Sequence, residues 1–274
     1  MSVINTNIGA LKAANASASA QKALGSAMER LSTGKRLNSA KDDAAGLAIA
    51  TSMTSQIRGM NQGIRTANDG ISLAQTAEGS LNEVTNMLQR VRELGVQASS
   101  GTYQDSDRTN LQAEVDELTA QIDQTITNSS FNGVQLFDGT VATVTIQAGA
   151  NAADTVDLTM ADLTTLAASG GAAGSYDIDD ATAASATVTA VDTELEAIST
   201  ARATLGAGQS RLETAVNTLT NNVTNLSDAR SRIEDTDYSS ETTALAKAQV
   251  LSQASTAMLS QANQSQQNVL SLLR

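Results

Sequence analysis

The sequence predicts a mainly α fold: an elongated rod of long antiparallel α-helices, packed like a coiled coil, with a β-hairpin and a small β or irregular excursion in mid-chain. Three observations support this prediction. Apolar and small residues recur near both termini in alternating steps of four and three, the heptad spacing of packed helices. The chain contains no proline that would interrupt a helix. Between residues 131 and 146 the helical period gives way to turn dipeptides and short alternating runs.

The first predicted helix covers about residues 4–31. Its apolar points are Ile4, Ile8, Leu11, Ala18, Leu24, Met28 and Leu31. Gly34 follows as a natural helix stop, because glycine adopts the left-handed conformation that ends many helices. Ser39 with Asp42 and Asp43 then has the composition of a helix start, with negative charge at the positive end of the helix dipole.

The longest regular pattern lies in residues 43–99. The stripe reads Met53, Ile57, Met60, Ile64, Ala67, Ile71 and Ala74, shifts once at Ala77, and resumes as Leu81, Val84, Leu88, Val91, Gly95 and Ala98. At 1.5 Å per residue this helix is about 85 Å long. After a turn-rich segment, Thr109 with Gln112 is expected to cap a shorter helix. Its apolar positions are Leu111, Val115, Leu118 and Ile122.

The period changes between residues 131 and 146. Asn132-Gly133 and Asp138-Gly139 are tight-turn dipeptides, and apolar residues then alternate with threonine. We expect one β-hairpin here, packed on the helices by the two phenylalanines of the chain. Residues 147–190 consist mostly of small and polar residues, so a small β or irregular excursion is expected.

Helix is predicted again from near Asp192. Its stripe reads Leu212, Val216, Leu219, Val223, Leu226, Arg230 and Ile233. After a polar break at 235–240, the terminal stripe reads Ala244, Ala248, Leu251, Ser255, Met258, Ala262, Ser265, Val269 and Leu272. A heptad stripe needs a partner helix, and the two ends of the chain mirror each other. Antiparallel pairing of the two halves is therefore the simplest arrangement.

Charge is distributed unevenly along the chain. The net charge is −12, yet residues 109–201 contain 14 acidic residues and no lysine or arginine, which leaves 17 basic and 15 acidic residues elsewhere. Nearly neutral ends can pack together, whereas an acidic middle is typical of solvated outer surface. No basic stripe is present to meet phosphates, so nucleic acid is not expected as a partner. No apolar run has the length of a membrane span, and the first residues lack the pattern of a cleaved secretory signal.

The residue types present argue against an enzyme. The chain has no histidine and no cysteine, which excludes His-based triads and the usual zinc ligands. Asp42-Asp43 and Asp179-Asp180 lack the surrounding loop of a calcium site, and helix-start charge and solvated loop explain them better. The methionines on apolar stripes are most simply core residues. We expect no cofactor and no catalytic or metal site.

A set of short segments, spread in order over both halves, carries a specific resemblance. The segments are 4–7, 30–46, 68–71, 89–94, 131–133, 205–207, 211–213, 231–237 and 268–273. In this order they closely resemble bacterial flagellin over about residues 1–140 and 190–274. One departure is Gln266, where the family often has proline, so the last turns of the terminal helix are expected to run straighter.

The resemblance implies a structural subunit that polymerises into the hollow helical filament of the bacterial flagellum and serves swimming motility. It implies three domains: a terminal coiled-coil core domain (1–40 and 241–274), a helical rod domain with a β-hairpin (41–140 and 191–240) and a short variable outer region (141–190). The alternative is a hook–filament junction protein, which resembles flagellin at both ends. The close match at 30–46 favours flagellin. Two other classes lack what they need: a metalloprotease-like variable region requires histidines, and a signalling coiled coil requires a membrane span.

The resemblance also implies partners and sites. The expected partners are other copies of the chain, a flagellar export chaperone, and filament cap and junction proteins, with export to the extracellular filament without a cleaved signal peptide. The expected filament-core contacts are Ile4, Ile8, Leu11, Leu251, Met258, Val269 and Leu272. A further patch comprises Gln89, Arg90, Leu94 and Glu114, where Arg90 and Leu94 share a helix face by their spacing of four. Contact between subunits is its first interpretation and recognition by a host innate immune receptor its second.

Overall fold

The computed structural model describes residues 6–164, 166 and 176–271, the last four of these by their backbone only. The helices in these residues are α1 (Ile8–Thr33), α2 (Ala44–Ala98), α3 (Asp105–Asn128), α4 (Ala181–Glu234) and α5 (Tyr238–Ser271). The strands are β1 (Ser130–Phe131), β2 (Val134–Gln135), β3 (Thr143–Gln147) and β4 (Thr155–Thr159). The prediction of a mainly α fold of long helices with a small β excursion is confirmed.

The chain divides into two compact units. The terminal unit comprises Met1–Ser55 and Asn225–Arg274, and the central unit comprises Gln56–Thr224. The divisions fall inside α2 and α4. Each unit is described by itself below.

The ends of α1 and the start of α2 depend on a few capping groups. The Asn7 side chain accepts a hydrogen bond from the Ala10 N–H, and Gly34 ends α1 in the left-handed conformation (φ 72°), as predicted. The expected helix start at Ser39 is wrong. The Asp42 carboxylate accepts hydrogen bonds from the N–H of Ser39 and Asn38, which folds this segment into a turn and lowers the pKa of Asp42. Asp43 instead accepts from the Gly46 N–H, and α2 begins at Ala44.

The predicted starts of α3 and α4 are also wrong, and both helices begin earlier. In α3 the Asp107 carboxylate accepts from the Gln104 N–H at 3.2 Å, so Thr109 lies inside the helix. Helix α4 begins at Ala181 and not near Asp192, because the Asp180 carboxylate accepts from the N–H of Ala183 and Thr182. These two bonds satisfy donors that a helix start leaves free.

The single hairpin expected at 131–146 is two separate hairpins. Strands β1 and β2 pair around Asn132-Gly133, both with positive φ (50° and 80°), as a tight two-residue turn requires. Strand β3 pairs antiparallel with the more distant β4, from Thr143 opposite Thr159 to Gln147 opposite Thr155. The expected aromatic packing is confirmed: Phe137 is buried in the core and the half-buried Phe131 packs against it.

The core of the central unit is built on the predicted stripe of α2. Its most buried members are Ala67, Ala74, Ala77, Leu81, Val84, Leu88, Val91 and Ala98. They meet Val115 and Ile122 of α3 and the α4 residues Val191, Ile198, Leu205 and Leu212. Helices α2 and α4 are antiparallel, because Gly95 lies against Val188 and Gly70 against Leu212. Burying each leucine or valine contributes about 1.5–3 kcal/mol, so these three helices hold the unit together.

The segment after β3 lies directly on α2. A Cβ at Gly63 would be 2.8 Å from the Gly149 backbone nitrogen, and one at Gly59 would be 2.9 Å from the Ala150 Cβ. The Thr66 hydroxyl donates to the Gln147 carbonyl at the same place. Two glycines four residues apart on one helix face thus allow the β3–β4 hairpin to pack on α2 without intervening side chains.

Candidate functional site

The terminal unit pairs α1 with α5 in antiparallel orientation. At one end the Asn7 side-chain amide donates to the Ala262 carbonyl at 3.0 Å, and Gly9 lies against the Ala262 side chain. At the other end a guanidinium nitrogen of Arg30 lies 3.8 Å from the Glu241 carboxylate. Contacts at both ends therefore determine the direction and the register of the pair.

The segments that join these helices to α2 and α4 form a backbone clamp beside the pair. The Arg36 N–H donates to the Glu234 carbonyl at 2.6 Å, and the Thr236 N–H donates to the Gly34 carbonyl at 3.0 Å. Lys35 also forms an ion pair with the Glu234 carboxylate. The clamp holds the C-terminus of α1 next to the N-terminus of α5, which supports the same register.

Mostly small side chains occupy the fully buried positions of the seam between α1 and α5, and larger ones lie half-buried at its margins. Its buried members recur in steps of seven: Ala13, Ala20 and Ala27 on α1, and Glu241, Ala248 and Ser255 on α5. Half-buried members complete the seam: Ala10, Ser17, Leu24 and Leu31 on α1, and Leu245, Ser252, Leu259, Ala262 and Gln266 on α5. Alanine and serine let two helices approach closely but remove little apolar area from water per turn. The pair is therefore only weakly stabilised by its own seam.

The predicted α5 stripe coincides with this seam only in part. Ala248, Ser255 and Ala262 belong to both. The other predicted members with described side chains form an open row, exposed and next to the seam: Ala244, Leu251, Met258 and Ser265. Helix α5 therefore has two neighbouring faces with the same repeat, one closed by α1 and one uncovered in the single chain.

Large apolar side chains of the terminal helices point outward. The exposed non-aromatic ones are Ile8, Leu11 and Met28 on α1, and Val250, Leu251 and Met258 on α5. Large apolar side chains usually lie inside a helix pair, so their exposure on both helices is unusual, and exposed apolar surface of this kind is typical of sites that contact another protein. Val250 and Leu251 are consecutive, so their side chains diverge by about 100° around the helix. The exposed residues thus face more than one direction, which suits a subunit with several neighbours.

Four of the predicted filament-core contacts are among these exposed residues: Ile8, Leu11, Leu251 and Met258. Ile4 and Leu272 lie outside the described residues, and Val269 is described by its backbone only. The sequence analysis did not single out Val250 or give Met28 a role in contacts, although both belong to the exposed set.

The second predicted site lies on α2 and α3. The Arg90 guanidinium donates to the Glu114 carboxylate at 2.8 Å and to the Glu93 carboxylate at 3.0 Å, and both partners raise the pKa of Arg90. These side chains are about half exposed, so the ion pairs add little stability, and Gln89 beside them is exposed. Leu94 is 1% exposed and belongs to the core, so it does not share the exposed face of Arg90. The exposed patch thus comprises Gln89, Arg90, Glu114 and Glu93, the last of which the sequence analysis left out.

A buried arginine at the end of α2 was also missed. Arg108 is 7% exposed; its Nε donates to the Ala98 carbonyl at 2.9 Å and its Nη2 to the Ser100 carbonyl at 3.2 Å. Its third contact is the exposed Asp105 carboxylate. The guanidinium satisfies carbonyls that the C-terminus of a helix leaves without partners. The sequence gives one indication that Arg108 has a special role, namely that it is the last basic residue before the acidic stretch.

The acidic side chains and the hydropathy of the helices bear on metal binding and membrane insertion. Within residues 6–164, 166 and 176–271, no group of three or more acidic side chains is arranged to hold a metal ion. None of the helices in these ranges combines the length and the hydropathy that a membrane span needs. What the described surface offers is helix faces for contact with other protein.

Comparison with known proteins gives the family. The family model of the bacterial flagellin N-terminal helical region matches residues 4–142, and that of the C-terminal helical region matches residues 188–273. The flagellin of Halalkalibacterium halodurans is 46% identical over 90% of this chain and 91% of its own length. The flagellin of Bacillus subtilis is 42% identical over 99% of both chains. A crystal structure of Bacillus cereus flagellin has a TM-score of 0.51 and 29% identity, covering 57% of this chain and 88% of its own.

These similarities decide between the alternatives. Both curated relatives are flagellins, so the hook–filament junction alternative is not favoured. The family consists of structural filament proteins and not of enzymes, and its members form the extracellular filament by self-assembly. The chain belongs to the bacterial flagellin family and is a structural subunit of the flagellar filament.

Proposed function

We propose that the exposed apolar side chains of α1 and α5 are the contacts through which subunits pack in the filament core. The observation that carries this proposal is the exposure of large apolar side chains on both helices, while the fully buried seam positions carry alanine, serine and Glu241 and the seam leucines are only half-buried. In a filament, neighbouring subunits cover these side chains and add the apolar burial that the seam lacks.

The same reasoning makes α1 and α5 dependent on assembly. Helices in proteins are stabilised mainly by packing of an apolar face, and the fully buried positions of this seam carry mostly small side chains. We therefore expect the backbone amides of Leu251 and Met258 to exchange rapidly in the free subunit and slowly in the filament. Strong protection of these amides in the free subunit would contradict the proposal.

The direct test is the substitution Leu251→Asp. It places a charge in the open row, where burial against a neighbouring subunit would leave that charge without a partner. Seeded polymerisation followed by sedimentation should show loss of elongation, while circular dichroism of the subunit shows the central unit still folded. Gln253→Asp adds the same charge to an exposed polar position of the same helix. It should still polymerise; equal loss in both variants would mean that charge on α5, and not the open row, is responsible.

We further propose finer assignments that the family similarity supports. These are the three-domain division at 1–40 with 241–274, 41–140 with 191–240, and 141–190, a flagellar export chaperone that covers α5, and the filament cap and junction proteins as partners. Binding of a purified chaperone to the subunit should weaken on Leu251→Asp if the chaperone covers the open row. Export by the flagellar route is tested by sequencing the N-terminus of the mature protein, since a cleaved leader would contradict it.

The patch of Gln89, Arg90, Glu114 and Glu93 is proposed first as a contact between subunits and second as a site for a host innate immune receptor. Half-exposed charges that already pair with each other can exchange partners across an interface at little cost. A receptor-reporter assay on depolymerised protein should show a reduced signal for Arg90→Ala. The control is Arg92→Ala, because Arg92 lies on the same helix and is equally exposed but pairs with Asp192. Equal signals from the two variants would remove the receptor assignment.

A further inference from the structure

The methionines of the chain differ sharply in exposure. Met28 and Met258, both in the terminal unit, are 56% and 64% exposed. Met60 and Met160 are 7% and 5% exposed, and Met53 and Met87 are half-buried. An oxidant in solution therefore reaches the sulfurs of the terminal helices before those of the core.

We propose that Met28 and Met258 are oxidation sites, and that their conversion to methionine sulfoxide by hydrogen peroxide prevents the free subunit from joining the filament. The proposal rests on the proposed packing of α1 and α5 between subunits. The modification acts before assembly, because neighbouring subunits cover the same sulfurs afterwards.

The chemistry needs only the oxidant. The thioether sulfur attacks one peroxide oxygen, an S–O bond forms, the O–O bond breaks and the second oxygen leaves as water after a proton shift. Sulfur is oxidised by two electrons and peroxide is reduced by two. The chain has no cysteine, histidine or tryptophan, so methionine is the side chain that such oxidants attack most readily here.

The consequence follows from the location of Met258. It occupies the open row seven residues after Leu251, so the two side chains lie along one side of α5. A sulfoxide is polar and accepts hydrogen bonds strongly, and burying it in an apolar contact without a donor opposes association. Met28 has the same exposure on α1 and is expected to act in the same way. Methionine sulfoxide reductases can reverse the change on the free subunit.

Trypsin separates the relevant methionines for measurement. Cleavage after lysine and arginine places Met28 in peptide 23–30, Met60 in 59–65 and Met258 in 248–274. Depolymerised subunits and intact filaments are treated with the same limiting hydrogen peroxide, and each peptide is quantified by mass spectrometry. In the subunit we expect Met28 and Met258 to oxidise about tenfold faster than Met60, and in the filament we expect their rates to fall toward that of Met60.

Polymerisation is then measured on unoxidised seeds. Treated subunits should elongate at least about tenfold more slowly than untreated ones, and incubation with the two stereospecific reductases should restore the rate. The ratio of treated to untreated rate is compared for the double variant Met28→Leu/Met258→Leu and for the control Met60→Leu. Each protein is compared with its own untreated rate. Peroxide treatment should no longer slow elongation of the double variant, and it should still slow elongation of the control.

Oxidation that does not change elongation, or sensitivity that persists in the double variant, overturns the proposal. Equal oxidation of both sulfurs in subunit and filament overturns it as well. Failure of the underlying contact is recognised separately, since Leu251→Asp would then elongate normally.

Discussion

The close packing of the β3–β4 hairpin on α2 leads to a prediction that compares one substitution at two positions. Gly63→Ala and Gly79→Ala both add a methyl group inside α2. At Gly79 nothing lies within 4 Å of the new Cβ. At Gly63 the new Cβ would be 2.8 Å from the Gly149 nitrogen, 3.1 Å from the Gly149 Cα and 3.2 Å from the Ala148 carbonyl carbon. These are backbone atoms, which cannot rotate away.

The magnitude follows from two opposing effects. Alanine in place of glycine within a helix increases the free energy of unfolding by roughly 0.5–1 kcal/mol, and this gain is the same at both positions. Forcing a methyl group into a filled site costs about 1–3 kcal/mol. The difference between the two variants therefore measures the overpacking at Gly63 alone, with helix propensity cancelled. In a protein of this size about 1 kcal/mol shifts Tm by roughly 2–4 °C, so the two Tm values should differ by roughly 2–12 °C.

The assay is thermal unfolding of the depolymerised subunit, followed by circular dichroism in parallel with the parent protein. Gly79→Ala should unfold slightly above the parent, and Gly63→Ala should unfold clearly below Gly79→Ala. Equal Tm values for the two variants would refute the reasoning, because they would mean that the hairpin backbone is not in close contact with α2 at Gly63.

Two further predictions concern single side chains. Arg108→Ala should lower the free energy of unfolding by about 2–4 kcal/mol in denaturant titrations, since it removes the donors to the Ala98 and Ser100 carbonyls. The free energy of unfolding of Arg108→Lys should lie between those of Arg108→Ala and the parent. A loss below about 0.5 kcal/mol in Arg108→Ala would contradict the capping role. Hydrogen bonds from the N–H of Ala183 and Thr182 lower the pKa of Asp180 in the folded state. The ionised carboxylate therefore adds to the free energy of unfolding above the unfolded-state pKa of about 4, and this addition is lost as pH falls through the lower folded-state pKa. The free energy of unfolding should therefore fall less on acidification in Asp180→Asn than in the parent, because asparagine keeps a cap without the charge. An unchanged dependence of this free energy on pH would contradict the prediction.

The parts of the fold that could be predicted are those in which large apolar residues repeat over many turns. The α2 stripe from Leu81 to Ala98 is buried as predicted, because one period persists long enough to define one face. Helix starts could not be placed in the same way. At Asp180 and Asp107 a single carboxylate accepts hydrogen bonds where the helix begins. The first turns of α4 are rich in alanine and threonine, and the first turn of α3 is polar, so no stripe of large apolar residues reveals either start. Polar and apolar residues alternate in β4, but its pairing with β3 was not predicted, because alternation indicates a strand and not its partner.

The candidate site shows a different limit of sequence reasoning. Arg90 and Leu94 are four residues apart and were expected on one face, yet one side chain is exposed and the other is buried. Positions four apart differ by about 40° around a helix, which is enough to place them on opposite sides of the boundary between core and solvent. Spacing alone therefore identifies neighbours on a helix but not which of them reaches the surface.

The same geometry explains why α5 can serve the single chain and the filament. Its two neighbouring faces repeat every seven residues, so the helix pairs with α1 through Ala248 and Ser255 and leaves Leu251 and Met258 exposed for the proposed contact with another subunit. The fully buried seam positions carry alanine, serine and Glu241, and the seam leucines are only half-buried, so the pair gains limited apolar burial on its own. If neighbouring subunits cover the open row, as proposed, ordering of the terminal helices is coupled to addition of the subunit. Such coupling would favour growth on existing filaments over association of free subunits.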